Sequence, residues 1–217
     1  MKTIKIIALA LLTTAVVGTA PRVAAAQDAD GFDDKWLTLG LKTGVYVPSI
    51  INDRSPHVDL ALEAGVMLPV ADRRLGLMFE AAWAPPGVSD GKTDPRVGED
   101  GGEWDFDVTT HEVKLSLGPM FRFLPPGETF VPYIGALARM YLIRTNVNGT
   151  GDGQSFGENT EVSTELGFVG LLGGELQLGP GAALLEVSFG WSDLPHRITG
   201  DTSTGALSVL LGYRLML

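Results

Sequence analysis

The sequence feature that most constrains the fold is an alternation of apolar and polar residues that recurs along the chain and keeps the charges in one phase. The stretch HVDLALEAGVML, residues 57–68, is typical: Val58, Leu60 and Leu62 fall in one phase, and Asp59 and Glu63 fall in the other. Successive side chains of a β-strand point to opposite faces, so such a segment forms a strand with one apolar and one polar face. The chain is therefore predicted to be all-β.

Eight segments show this alternation. They are residues 36–47, 57–68, 75–84, 110–123, 133–142, 164–178, 184–192 and 206–217. The connections alternate in length, since PVADRR, LPPGET and GPGA are short, whereas PSIINDRSP, PPGVSDGKTDPRVGEDGGEW, NVNGTGDGQSFGEN and SDLPHRITGDTST are long. Pro and Gly in the short connections are typical of tight turns. Short turns on one side and long loops on the other predict an eight-stranded, antiparallel, up-and-down transmembrane β-barrel.

The charged phase has to face the inside of such a barrel, because a charge directed at lipid costs up to about 2–4 kcal/mol near the middle of the membrane. Eight strands enclose a space that side chains can fill. The phase contains seven acids and five bases, a balance that favours mutual pairing. We therefore predict a lumen plugged by an ion-pair network of Lys42, Asp59, Glu63, Glu80, Glu112, Lys114, Arg122, Arg139, Glu165, Glu175, Glu186 and Arg214.

The apolar phase carries aromatic residues near the strand ends, as the aromatic girdles of a membrane barrel do. The residues concerned are Trp83, Trp191, Phe121 and Phe123. Two polar residues, His111 and Arg144, also fall in this phase. We expect both to lie at the outer interface of the membrane, where long polar side chains reach water.

The N-terminus has the layout of a cleavable secretory signal. Residues 1–26 place Lys2 and Lys5 before the apolar run IIALALLTTAVVG and the small residues VAAA. Residues 27–35 are expected to form a periplasmic lead-in, and residues 36–217 the barrel. The formal charge of −10 becomes −13 without Lys2, Lys5 and Arg22, which argues against a nucleic-acid partner. The sequence contains no cysteine, so it has no disulfide and no thiolate metal site.

Two segments give the chain a resemblance to a known group of proteins. VPYIGALARMY, residues 131–141, resembles the fifth strand, and SVLLGYRLML, residues 208–217, resembles the terminal strand, of the small eight-stranded outer-membrane barrels of OmpA-like, OmpW-like and opacity type. Leu217 replaces the terminal Phe common in that group. The resemblance spans residues 36–217 and implies a bacterial outer-membrane location. The implied partners are outer-membrane lipid and lipopolysaccharide, the barrel assembly machinery and periplasmic chaperones, and we expect a monomer.

Two functions without catalysis remain open. The first is a structural or surface-interaction anchor that displays acidic extracellular loops, which an ion-paired lumen favours. The second is a narrow, porin-like channel for small or hydrophobic solutes, as OmpW-like barrels are thought to be, and it would use apolar lumen residues at Met67, Met78, Leu137, Val169 and Leu171. A soluble ligand-binding barrel of lipocalin type would need the opposite face inside.

We expect no catalytic residue, no cofactor and no metal site. Some barrels similar in architecture act on lipid A through His and Ser at the outer rim, but here Val113 stands beside His111 where those enzymes carry Ser. His196 lies near Ser192 and Asp193 in one loop, a grouping that loops commonly contain. The long acidic loops hold oxygen atoms that could bind calcium, yet they lack the spacing of an EF-hand.

Overall fold

The computed structural model describes residues 35–48, 56–94, 102–151, 154–195 and 202–217. Within these residues the chain forms nine strands and a 3₁₀ turn at Ala71–Arg73. The strands are β1 (Leu37–Pro48), β2 (His57–Met67), β3 (Leu75–Ala84), β4 (Gly87–Asp94), β5 (Gly102–Arg122), β6 (Phe130–Gly151), β7 (Gln154–Leu178), β8 (Gly181–Trp191) and β9 (Ala206–Met216). The described residues include no helix long and apolar enough to span a membrane. The predicted signal, residues 1–26, and most of the lead-in lie outside the described residues.

The sheet closes on itself. All pairings are antiparallel between neighbours, and β1 pairs with β9 to complete the ring. Strands β3 and β4 both pair with β5, one after the other, and Pro85 and Pro86 separate them. Proline lacks the N–H that a ladder needs, so these two strands are one barrel strand with an interruption. The predicted fold is confirmed: the chain is an eight-stranded, antiparallel, up-and-down barrel.

The barrel is apolar outside and polar inside. Leu41, Leu62 and Leu166 are 61%, 62% and 78% exposed on the outer face, whereas Lys42 and Arg214 are fully buried in the lumen. Side chains alternate between the two faces along every strand, and the pairing register aligns the charged positions of neighbouring strands. The charged positions of the predicted lumen network therefore share the inner face. The arrangement excludes the soluble barrel of lipocalin type, which requires the apolar face inside.

The strands differ in length. Strands β5, β6 and β7 contain 21, 22 and 25 residues, whereas β1, β2, β8 and β9 contain 12, 11, 11 and 11. The long strands extend beyond the short ones at one end of the barrel, which we call the loop end. The opposite end, where the three short connections lie, is the turn end.

The extension of the long strands corrects one part of the sequence analysis. Residues 85–104 and 146–159 were expected to be loops, but most of the described ones belong to β4, β5, β6 and β7. Together the two segments are rich in glycine, asparagine and carboxylate residues, so they show no alternation of apolar and polar residues. The backbone hydrogen bonds between neighbouring strands continue through them nevertheless. We call β4 with residues 102–111, 143–151 and 154–164 the upright sheet.

Candidate functional site

The middle of the lumen contains one lysine surrounded by three carboxylates. Lys42 Nζ lies 2.9 Å from Glu186 Oε1 and 3.2 Å from Glu63 Oε2, and it also contacts Glu80 Oε2. Gly212 is the neighbour of Lys42 on β9, and a Cβ there would lie 2.4 Å from the Leu41 carbonyl oxygen and 2.8 Å from Lys42 Cγ. A glycine is therefore required for the lysine to lie against β9.

Glu63 and Glu80 connect Lys42 to Arg214 and Arg139, and Glu175 extends the contacts from Arg214 to Arg122. Arg214 binds Glu63 through two nitrogens, with Nη2 2.9 Å from Oε2 and Nε on Oε1, and its Nη1 contacts Glu175. Glu175 also accepts a hydrogen bond of 3.0 Å from Arg122 Nη2.

On the other side of Lys42, Arg139 Nη2 lies 2.8 Å from Glu80 Oε1, and Arg139 Nε donates to Ser116 Oγ at 2.8 Å. Four cations and four carboxylates are thus joined in one sequence of contacts, which we call the central network: Lys42, Glu63, Glu80, Arg122, Arg139, Glu175, Glu186 and Arg214.

Tyr133 closes the space beside the central network. Its hydroxyl donates to Glu186 Oε2 at 2.9 Å, and the Arg214 guanidinium lies 5.1 Å from its ring centre. Gly173, opposite on β7, leaves room for this ring, because a Cβ there would lie 2.3 Å from Tyr133 Cζ.

A second, smaller polar cluster lies nearer the loop end. Lys114 Nζ donates to both carboxylate oxygens of Asp59 at 2.9 Å, and Ser208 Oγ donates to Asp59 Oδ2 at 3.0 Å. The Tyr46 ring lies beside this pair, with Lys114 Nζ 4.0 Å from its ring centre, and its hydroxyl donates to Glu112 Oε2 at 2.5 Å. The lumen therefore contains two sets of ion pairs, one in the middle of the barrel and one nearer its loop end.

The structure places the predicted lumen residues in two groups. Ten of the twelve belong to the central network or to the pair of Lys114 and Asp59. Glu112 is buried, but it forms no ion pair with any described residue, and its Oε1 has no hydrogen-bond partner. Glu165 is half-buried and likewise forms no ion pair within the part of the chain that the structure describes.

Sequence analysis missed the tyrosines of the lumen. Tyr46, Tyr133 and Tyr141 are completely buried and contact the charged residues. The signal was available, because each falls in the charged phase of its strand. The sequence does not show which carboxylate each hydroxyl binds, so it does not indicate a role for these tyrosines.

Apolar side chains fill the lumen at two further places. One cluster comprises Met67, Met78, Met120, Tyr133, Leu137, Val169 and Leu171, each at most 6% exposed. It contains all five residues that the channel hypothesis named. At the loop end, Leu194 packs against Tyr141 and Ile143. Hydrogen bonds hold Leu194 in place, since its N–H donates to Thr202 O at 3.0 Å and Ser192 Oγ donates to Leu166 O at 2.9 Å.

The residues considered for catalysis are not brought together. His111 is exposed on the outer face of the barrel, where its ring stacks on Trp83 at 6.4 Å between centres. His196 lies outside the described residues. In the described ranges no three His, Asp or Glu side chains are grouped as a metal site requires.

The fold and the lumen together define a class of protein. A closed barrel of eight strands with an apolar outside and an ion-paired inside has the architecture of the small outer-membrane β-barrels.

Three solved structures share this fold. The chain is similar to the major outer membrane protein of Thermus thermophilus (14% identity, TM-score 0.55), with 85% of this chain and 100% of that chain covered. It is similar to Neisserial surface protein A (13% identity, TM-score 0.52), with 83% and 97% covered. It is also similar to Ail, the attachment invasion locus protein of Yersinia pestis (15% identity, TM-score 0.50), with 83% and 99% covered. No protein-family model and no curated protein matches the sequence.

Proposed function

We propose that this protein is a bacterial outer-membrane anchor, exported by its N-terminal signal, whose barrel displays the polar upright sheet and whose lumen does not conduct. The observation that carries this proposal is the central network, in which four cations and four carboxylates fill the middle of the lumen. The barrel then serves to hold the loop end in place, and the function belongs to what the loop end contacts.

The outer face supports insertion into a membrane. A strand of 12 residues such as β1 is about 40 Å long at about 3.3 Å per residue. Tilted by about 45°, it covers about 28 Å, which matches an apolar band about 25 Å tall. Exposed Leu, Val and Phe side chains cover this height on all sides of the barrel.

The upright sheet supports a role in surface contacts. Membrane barrels of this type have short turns in the periplasm and long loops outside the cell, so the upright sheet extends into the medium. Its exposed face carries carboxylate, amide and hydroxyl groups at Ser89, Asp105, Asp107, Asn148, Thr150 and Thr160. A paired sheet presents these groups in a fixed pattern, which favours recognition of a polar or cationic partner.

The interactions of the barrel itself follow from its membrane location. We propose that outer-membrane lipid and lipopolysaccharide surround a monomer. Periplasmic chaperones and the barrel assembly machinery bring it there. We further propose that the protein is not an enzyme, since His111 faces outward beside Val113.

Single-channel recording of the refolded mature chain in a planar bilayer tests the proposal. We expect no conductance from the native protein. Glu80→Ala and Arg139→Ala, which open the central network, should give small and variable currents, whereas the exposed turn-end variant Asp72→Ala should remain silent. Steady native conductance that changes with Glu80 and Arg139 would overturn the anchor proposal.

A second candidate function is a narrow path for hydrophobic solutes. The cluster of Met67, Met78, Met120, Leu137, Val169 and Leu171 favours it, because methionine side chains rearrange easily around a ligand. Uptake of an uncharged apolar dye into vesicles that contain the barrel distinguishes this candidate, since a Met78→Trp variant would then slow uptake.

A further inference from the structure

A patch that contains an arginine and a histidine lies on the outer face of the barrel, at the loop end. Arg144 of β6 and His111 of β5 are direct neighbours in the sheet register, and both side chains are exposed. The Trp83 ring stacks on the His111 ring at 15° between planes. No described residue forms an ion pair with Arg144, which is exposed.

The height of this patch coincides with the end of the apolar band. Towards the turn end, the outward neighbours of the patch are Val113 and Leu142, and towards the loop end they are Thr109 and Asn146. Arg144 and His111 therefore lie where lipid headgroups meet water. A Trp beside them is typical of the same interface.

A groove lies on the same outer face, closer to the middle of the barrel. It has a volume of about 420 Å³, and its outward-facing lining consists of Ala136, Ala138, Phe168, Gly170 and Phe189. A Cβ built at Gly170 would meet nothing within 4 Å, so the floor of the groove is open. Two alanines and a glycine between two phenylalanines form an apolar slot on the outer face.

The patch and the groove lie at the two ends of one line along β6. Arg144 lies six positions after Ala138, which is about 20 Å along the strand. With a tilt of about 45° this is about 14 Å of depth, close to half of the hydrocarbon core of about 30 Å. An acyl chain whose headgroup rests at the patch therefore reaches the groove.

We propose that this face binds a single phosphorylated lipid of the outer leaflet, with its phosphate on Arg144 and His111 and one acyl chain in the groove. The inference rests on the proposed outer-membrane location. A guanidinium binds phosphate through two parallel hydrogen bonds, and an imidazole nitrogen supplies a third donor. The charge of Arg144, which pairs with no described residue, and the open groove closer to the middle of the barrel are complementary to the two ends of such a lipid.

Lipid binding to the refolded barrel in neutral detergent tests the inference. The probes are dioleoyl phosphatidic acid, dioleoyl glycerol without phosphate, and soluble glycerol phosphate without chains. Native mass spectrometry counts bound lipid, and titration gives the dissociation constant. We expect one tightly bound phosphatidic acid, weaker binding of dioleoyl glycerol, and no competition by glycerol phosphate.

Variants separate the two halves of the site. Arg144→Gln should weaken phosphatidic acid binding about tenfold, a loss of about 1.4 kcal/mol, and leave dioleoyl glycerol binding unchanged. Gly170→Leu should fill the groove and weaken binding of both lipids. The controls are Arg74→Gln, an arginine at the turn end, and Val209→Leu, which enlarges a side chain of the outer face on β9.

Three outcomes overturn the inference. Equal loss with Arg144→Gln and Arg74→Gln means general charge attraction, full competition by glycerol phosphate means a free-phosphate site, and unchanged binding in Gly170→Leu means that the groove is not used. Insertion of the native chain into vesicles, measured by the shift in gel mobility between unheated and heated samples, tests the proposed function separately. A barrel that inserts but binds no lipid at Arg144 leaves that function intact.

Discussion

Lys42 of β1 and Glu186 of β8 meet inside the barrel, with Nζ and Oε1 2.9 Å apart although 144 residues separate them in sequence. The two strands are not neighbours, since β9 lies between them. The contact therefore passes over β9, where Gly212 leaves room beside Lys42, rather than along a ladder. Such contacts fill the lumen of the closed barrel with buried side chains.

The first prediction concerns this lysine. Lys42→Ala removes the cation between Glu63, Glu80 and Glu186 and leaves their carboxylates facing each other in a water-poor space. Losing one partner of a buried pair costs about 3–5 kcal/mol. We expect a large fall in the urea concentration at which the folded barrel loses its gel mobility.

The matched control for this lysine is an exposed pair. Arg74→Ala breaks the contact of 3.0 Å between Arg74 and Asp72 at the turn end. Exposed pairs contribute about 0–1 kcal/mol, so the unfolding midpoint should hardly move. Similar shifts for the two variants would contradict a central role for Lys42.

The second prediction concerns the two faces of β7. Gly173→Ala places a methyl group 2.3 Å from Tyr133 Cζ, so the ring has to leave and its bond to Glu186 is lost. Overpacking of this kind costs about 1–3 kcal/mol. Gly170→Ala, three residues away on the outer face, should leave stability unchanged or raise it by about 0.5–1 kcal/mol, because alanine restricts the unfolded chain. Equal effects in urea unfolding would place both glycines on the same side of the sheet.

The third prediction concerns the lipid-facing surface. Leu62 is exposed on the outer face of β2, and Leu62→Arg directs a charge at hydrocarbon at a cost of up to about 2–4 kcal/mol. Membrane fractionation should show loss of assembled barrel for this variant. Leu62→Phe should assemble normally.

A second arginine checks that position, and not arginine itself, causes the loss. Thr150 is exposed on the upright sheet, beyond the apolar band, so Thr150→Arg should assemble as the native chain does. Failure of both arginine variants would mean that arginine itself, and not a position facing lipid, blocks assembly.

The sequence predicts the barrel and the direction of its charges because both follow from a period of two residues. Glu63 and Leu62 need only their order in the chain to be assigned to opposite faces. The sequence does not predict which charged residues form ion pairs with each other. That Arg214 binds both Glu63 and Glu175 depends on the shear of the sheet and on gaps such as Gly212, and neither is expressed in a local pattern.

The upright sheet shows another limit of sequence analysis. Residues 143–151 and 154–164 pair with each other through backbone hydrogen bonds, although most of their side chains are polar on both faces. Alternation of apolar and polar residues indicates a strand only where one face has apolar and the other polar surroundings. Where polar residues occur on both faces, turn-forming residues dominate the composition and the strand is assigned to a loop.

The fourth prediction concerns the independence of barrel and upright sheet. Replacing residues 147–159 by an Asn-Gly turn removes the tip of the hairpin of β6 and β7 and keeps the pairing of Thr145 with Glu161. The lumen contacts of both strands lie closer to the turn end, so the shortened chain should still fold and shift its gel mobility on heating. Loss of folding would show that the upright sheet supports the barrel, which the anchor proposal does not require.

The fifth prediction uses Glu112, a buried carboxylate that forms no ion pair with any described residue. Glu112 accepts a hydrogen bond from Tyr46, while its Oε1 has no partner and no described residue forms an ion pair with it. A buried charge without compensation is costly, so Glu112→Gln should leave stability unchanged or raise it, because an amide oxygen still accepts from Tyr46. Glu175→Gln, by contrast, takes the charge from a carboxylate that binds Arg214 and Arg122 and should destabilise the barrel by about 3–5 kcal/mol. Urea unfolding of the two variants side by side checks this contrast, and a greater loss for Glu112→Gln would mean that its charge is compensated in the folded barrel.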